Sequence, residues 1–260
     1  VYFINEVNAM LLNCDLGGSY GSWTMGQDTK AMANIDQANI ACGFHAGDPL
    51  VMQNTLSLAK QHRVMIGAHP AYPDLVGFGR RSMNCSSAEI IAFMHYQIAA
   101  MDGMATCQGL QLAYVKPHGA LYNDMMTKLE VRQAIMQALS QYNQSYGSSL
   151  KLMLQATTLA ATHEHEAHAL SLELYFEAFA DRRYEDDGRL MARSKSGAVL
   201  GHDAMMAQVS QLLGTGIITS VGGASLDLKV DSLCVHGDND AGIAAIADIR
   251  QLIQQNNTAG

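Results

Sequence analysis

Four histidines end four short apolar runs: His45 after 38–42, His69 after 64–68, His118 after 112–115 and His236 after 233–235. Imidazole changes charge near neutral pH and serves as general base, general acid or metal ligand. Asp15 ends another run, two residues after Asn13. A carboxylate in such a place must be paired, solvated or bound to a metal, because an unpaired buried charge is costly. Lys116 follows an apolar run and precedes Pro117, where an ammonium can pair with a carboxylate or hold a phosphate or developing oxyanion. Glu177 interrupts the apolar and aromatic stretch 174–179; facing inward it needs a cation, and Lys116 and Arg182 are the candidates. The catalytic candidates are therefore Asp15, His45, His69, Lys116, His118 and Glu177. Candidates for holding substrate or phosphate are Asn13, Arg80, Arg81, Asp181, Arg182, His236 and Asp238. A divalent metal would find its donors in Asp15, His45 and His69 or His118. Asp48 before Pro49 is explained by helix capping alone. His62, His95, His163, His165, His168 and His202 fall on helical stretches and read as surface or packing residues.

These residues need elements that carry them to one place. A short strand-like run, a polar cluster and a helix-like stretch follow one another seven times. The runs are 11–15, 38–42, 64–68, 112–115, 150–154, 172–179 and 233–235. Helices are expected over 48–62, from the Ser86/Glu89 capping box to about 101, and over 129–141, 158–169, 202–213 and 240–255. The stretch 217–228, with Gly222-Gly223 at its middle, reads as a hairpin. Strand-then-helix units in series imply parallel strands with crossover helices. The chemical residues all lie at or just past strand C-terminal ends, which converge on one face in an α/β barrel. An open doubly wound sheet would gather fewer of them. The expected fold is a seven-stranded parallel (β/α) barrel, one domain over 11–255. Residues 1–10 are expected to be an extension or cloning remnant, and 256–260 a tail.

Composition narrows the classes. The chain has 260 residues, 48% hydrophobic and 15% charged, with a net charge of -8. That excludes a disordered chain, and the lack of a basic patch argues against nucleic acid. No apolar run is long enough for a membrane helix. Five cysteines, none at metal-ligand spacing, fit a reducing cytoplasm and no disulfide framework. The 16 methionines are expected to fill the core. There is no phosphate-binding P-loop and no G-x-S-x-G elbow.

Several stretches together resemble the LamB/YcsF family: 12–17 (LNCDLG), 38–48 (ANIACGFHAGD), 66–70 (IGAHP), 73–81 (PDLVGFGRR), 115–122 (VKPHGALY), 177–182 (EAFADR), the Arg193-Ser194 region and 234–239 (CVHGDN). The resemblance runs from about Leu11 to Leu252. It implies a barrel of the glycoside hydrolase/deacetylase superfamily type, and ATP-dependent cleavage of 5-oxo-L-proline to L-glutamate. It also implies that two further 5-oxoprolinase subunits, B and C, are needed for activity. The sequence departs from the family in places. Gly18 stands where the family usually has Glu, and Ala192 and Ser196 replace prolines expected around Arg193.

Such a reaction suits these residues. A lactam carbonyl is a poor electrophile, and phosphorylation of its oxygen by ATP turns that oxygen into a leaving group. The site then needs cationic donors, a base for water and a proton source for the ring nitrogen. Lys116 and an arginine suit the first role; a histidine with Asp15 or Glu177 suits the others. Two alternatives stand beside this reading: a metal-dependent deacetylase or hydrolase on the same barrel, and a non-catalytic binding subunit of the complex.

Overall fold

The computed structural model describes residues 10–235 and 240–259. Six parallel strands follow in chain order: β1 (Leu11–Leu16), β2 (Gln37–Ala41), β3 (Met65–His69), β4 (Leu112–Val115), β5 (Lys151–Gln155) and β6 (Leu174–Phe179). After a small antiparallel hairpin, β7 (Ile217–Thr219) and β8 (Ser225–Asp227), comes β9 (Ser232–Cys234). β9 sits between β6 and β1 and closes a seven-stranded parallel barrel, pairing Leu11 with Ser232 and Phe179 with Cys234. This is the barrel expected from the sequence.

Helices cover the outside: α1 (Asp28–Met32), α2 (Pro49–His62), α3 (Ser87–Cys107), α4 (Gly119–Thr127), α5 (Leu129–Tyr146), α6 (Ala160–His168), α7 (His202–Thr215) and α8 (Asp240–Ala259). The start of α2 is fixed by Asp48 Oδ1, which accepts from the Leu50 and Val51 amides at 2.9 and 3.0 Å, with Pro49 in the first turn. Ser86 and Glu89 form the capping box that starts α3. Two helices lie outside those expected from the sequence. α1 is a single short turn, and α4 begins at Gly119, directly after His118, without a side-chain cap. α8 runs past its expected end at Gln255.

The main core lies between barrel and helices. Ile90, Met94, Ile98 and Met101 of α3 and Ile135 and Leu139 of α5 are all buried there. At roughly 1.5–3 kcal/mol per large side chain, this layer supplies most of the driving force. Inside the barrel the period of two along each strand turns a second set inward. That set is polar: Asn13 and Asp15 on β1, Gln37 and Asn39 on β2, His69 on β3, Tyr114 on β4 with Lys116 just beyond it, Glu177 on β6, Ser232 on β9. Gly67 on β3 makes room for it, since a Cβ there would collide with the Tyr114 ring.

Candidate active site at the barrel mouth

The centre is Lys116, one residue past β4 and 2% exposed. Its ammonium lies 3.0 Å from Asp15 Oδ1 and 2.8 Å from Glu177 Oε2. It also donates to Asn13 Oδ1 and to Cys234 Sγ, each at 3.3 Å. Burial alone would lower the lysine; the negative surroundings, Asp15, Cys234 and Glu177, outweigh it and hold Lys116 well above an ordinary lysine. Burial keeps the Cys234 thiol protonated despite that lysine, so the two carboxylates carry the effect. Lys116 is thus a fixed cation and no base. Glu177 is wholly buried, and of the two expected partners it takes Lys116.

A directional polar chain beneath this cluster holds it in place. Tyr114 Oη donates to Asn39 Oδ1 at 2.6 Å. Asn39 Nδ2 donates to Asn13 Oδ1 and Asp15 Oδ1, both at 2.8 Å. Asn13 Nδ2 donates to Ser232 Oγ, which donates to Gln37 Oε1, both at 2.7 Å. Asn13 is therefore part of the floor. Asn39, Tyr114, Gln37, Ser232 and Cys234 were not among the sequence candidates. The visible signal was a pair of amides, Gln37 and Asn39, two apart in the buried run of β2.

Three histidines form the adjoining wall. His69 Nε2 is 3.3 Å from Asp15 Oδ2, and its Nδ1 donates to the Lys116 carbonyl at 2.7 Å. His118 Nε2 donates to the Phe78 carbonyl at 2.9 Å, and its Nδ1 faces His69 Nε2 at 3.0 Å. His45 stacks on His118, with ring centres 3.8 Å apart and 5° between planes. Its Nδ1 is buried without a hydrogen-bond partner. Burial, with the neighbouring His118 and His69, lowers His45 far below ordinary imidazole. Burial and His69 lower His118 to about 3. Both rings are neutral near pH 7.

The hydrogen bonds to the Lys116 and Phe78 carbonyls each consume an N–H. The two nitrogens facing each other, His69 Nε2 and His118 Nδ1, would therefore each present a lone pair if both rings were neutral. At 3.0 Å two such lone pairs would oppose each other, and a cation bound between them would relieve that.

The loop from β3 to α3 closes over this wall. Phe78 adopts φ 53°, a left-handed conformation costing roughly 1–2 kcal/mol for an L-residue. That conformation turns its carbonyl onto His118 while its ring packs edge-on against His45 and His118. At Gly79, φ 63°, a Cβ would lie 2.9 Å from both His118 and His45.

Two connected openings lead to the cluster. The smaller recess is lined by Asp15, the three histidines, Gly18, Met25, Phe78 and Arg80. The larger cleft, about 640 Å³, shares Asp15, His69, Arg80 and His118 with it and adds Lys116, Tyr122, Phe179 and Arg182. Asp15, His45, His69, Lys116, His118, Arg80 and Arg182 all lie at these openings. Glu177 lies directly behind Lys116. Arg81 is not brought to either opening; it is spent on Asp74. Asp181 is buried beside the cleft and does not line it. His236 and Asp238 lie outside the described residues.

For a divalent metal, the described donors that come together are His45, His69 and His118, whose ligand atoms all lie within 4.8 Å of one another. His118 takes the place expected for Asp15, whose Oδ1 is held by Lys116 and Asn39 and whose Oδ2 faces His69. The partnerless Nδ1 of His45 fits such a role. No described helix is long and apolar enough to cross a membrane.

Comparison with known proteins places the chain among relatives. The model of the LamB/YcsF family matches residues 10–259. The chain is 49% identical over 248 residues to a 5-oxoprolinase A subunit of Pseudomonas putida, covering 95% of each chain. It is 46% identical over 245 residues to the 5-oxoprolinase A subunit of Vibrio cholerae, covering 94% of this chain and 97% of that one. Among solved structures, a lactam utilization protein of Thermus thermophilus superposes with a TM-score of 0.86 at 34% identity, covering 95% of this chain and 97% of the other.

Proposed function

The chain belongs to the LamB/YcsF family, and from that premise we propose that it is the A subunit of an ATP-dependent 5-oxoprolinase, working with subunits B and C to open 5-oxo-L-proline to L-glutamate. The observation that carries the chemistry is the Lys116 ammonium clamped between Asp15 and Glu177 beside the Asp15–His69–His118 contacts. The relatives' names supply the substrate; the residues supply the roles.

ATP gives its γ-phosphoryl group to the lactam oxygen and ADP leaves. Water adds to the ring carbon, the carbon–nitrogen bond breaks, and the ring nitrogen takes a proton. The resulting glutamyl phosphate is hydrolysed by a second water to glutamate and phosphate. Lys116 opposes negative charge on the lactam oxygen through its fixed field, and Arg80, at both openings, faces the phosphoryl group. Asp15 Oδ2 takes the proton that the attacking water loses, and the facing His69 Nε2 relays it to the ring nitrogen. Incubation of the chain with its B and C partners, ATP and 5-oxo-L-proline should give glutamate and ADP together. ADP without glutamate, or no reaction in an assembled complex, would defeat this reading.

A second reading shares the site. His45, His69 and His118 would hold a divalent cation, which would supply Lewis-acid polarisation of a carbonyl. The neutral, partnerless Nδ1 of His45 favours it. Metal analysis of the purified chain tests it: stoichiometric metal, lost in His45→Ala, is the expected result. No bound metal and full chelator resistance would remove it.

A further inference from the structure

The segment between β6 and α7, residues 181–200, forms one wall of the large cleft. It is a built wall. Isolated antiparallel bridges join Arg182 to Val199 and Tyr184 to Leu190. The Arg183 amide donates to Ala198 O at 3.0 Å, and Leu200 N to Asp181 O at 2.8 Å. Gln155 on β5 ties in Gly188 O at 3.0 Å.

Four cations of this wall line the cleft: Arg182, Arg189, Arg193 and Lys195. Two are neutralised locally, Arg189 by Asp187 and Lys195 by Glu185. Neither Arg182 nor Arg193 forms an ion pair among the described residues. Arg182 is only 7% exposed; one Nη donates to Met191 O at 2.5 Å, and its Nε is buried without a hydrogen-bond partner. Burial and the like charge of Arg193 depress Arg182, although Asp181 partly compensates. Holding a buried guanidinium against a second one costs free energy that an anion in the cleft would return. Asp181, itself buried, is the nearby carboxylate.

We propose that Arg182 and Arg193 form an anion subsite in the cleft, which orients the reacting molecule by a carboxylate or phosphoryl group while its other end meets Lys116 and Asp15. The inference rests on the lactam-opening reading and deepens it. In 5-oxo-L-proline the carboxylate sits on the ring carbon across the nitrogen from the carbonyl, so gripping it aims the carbonyl. A phosphoryl group would use the same planar donors. A guanidinium fork suits either, through paired hydrogen bonds.

Arg193 is the residue to change, since it is exposed and its loss spares the buried network. Calorimetric titrations of the full chain, wild type, Arg193→Ala and Arg193→Lys, would use 5-oxo-L-proline, the neutral lactam 2-pyrrolidinone and inorganic phosphate. Arg193→Ala should weaken at least one anion about tenfold or more, the size of a lost charge-assisted contact. Arg193→Lys should recover part of it, and 2-pyrrolidinone should bind all three proteins alike. Loss confined to 5-oxoproline identifies the carboxylate; loss confined to phosphate identifies the phosphoryl group. Unchanged anion binding in Arg193→Ala, or no anion binding by the wild type, overturns the subsite. Failure of the assembled wild-type complex to make glutamate would sink the functional reading, while an Arg193-dependent phosphate site would survive it.

Discussion

Lys116 combines two jobs that mutation can separate. Its ammonium compensates the wholly buried Glu177 and also faces the cleft beside Asp15. Lys116→Met should therefore destabilise the chain by about 3–5 kcal/mol, because a buried carboxylate loses its counter-ion. Adding Glu177→Gln should restore most of that loss, which urea unfolding of the single and double variants will measure. Equal stability of both would mean that the pair is not coupled. Asp15 is different: its side chain is 26% exposed and the floor hydrogen bonds can accept an amide in its place. Asp15→Asn should keep the melting temperature near that of the wild type and lower turnover of the assembled complex about 100- to 10,000-fold, the range for a lost acid–base group. Near-normal turnover would remove Asp15 from the proton path.

At the scale of elements, the barrel interior is set by where strands place their alternate residues. Gly67 on β3 is required because the Tyr114 ring of β4 crosses its position. Gly67→Ala should push that ring off Asn39 and cost about 1–3 kcal/mol by overpacking, readable in a thermal melt. An unchanged melt would show the ring free to move. On α6, His163 is 1% exposed with an unpartnered Nδ1. Burial, then Arg132, lower it, outweighing Glu166. The unfolded chain binds this proton more readily than the folded one. The histidine thus contributes stability above about pH 6.5 that is lost as pH falls through its folded value. His163→Gln should flatten the decline of melting temperature between pH 7 and 5; parallel curves would contradict this. These elements also mark how far sequence could reach. His45, His69, His118 and Lys116 were legible because strand ends in a barrel share one face. The helices α1 and α4 were not: one is a single turn, and the other starts without a side-chain cap. Arg81 looked like an anion ligand beside Arg80, yet its neighbour Asp74, near in sequence, claims it. Asn39 and Tyr114 went unnoticed because a polar residue in a buried strand only gains meaning once its cross-barrel partners are known.

The whole molecule carries a net charge of -8, yet Arg80, Arg182 and Arg193 line one cleft beside the locally paired Arg189 and Lys195. An anionic substrate therefore gains from the local field and loses little to the remote one, which salt screens over roughly 10 Å. The cleft, about 640 Å³, is also larger than a single five-membered lactam needs. That leaves room beside the lactam for a phosphoryl donor or a partner's loop. If the Lys116 cluster at the barrel mouth is the reaction centre for lactam opening, its loss must stop glutamate formation from 5-oxo-L-proline and ATP, which can be followed in complexes assembled with either the wild-type chain or Lys116→Met/Glu177→Gln. The double variant should fold, assemble with B and C, and form glutamate at least about 100-fold more slowly, the cost of losing a preorganised charge at a developing oxyanion. A folded, assembled double variant that makes glutamate at close to the wild-type rate would place the reaction elsewhere.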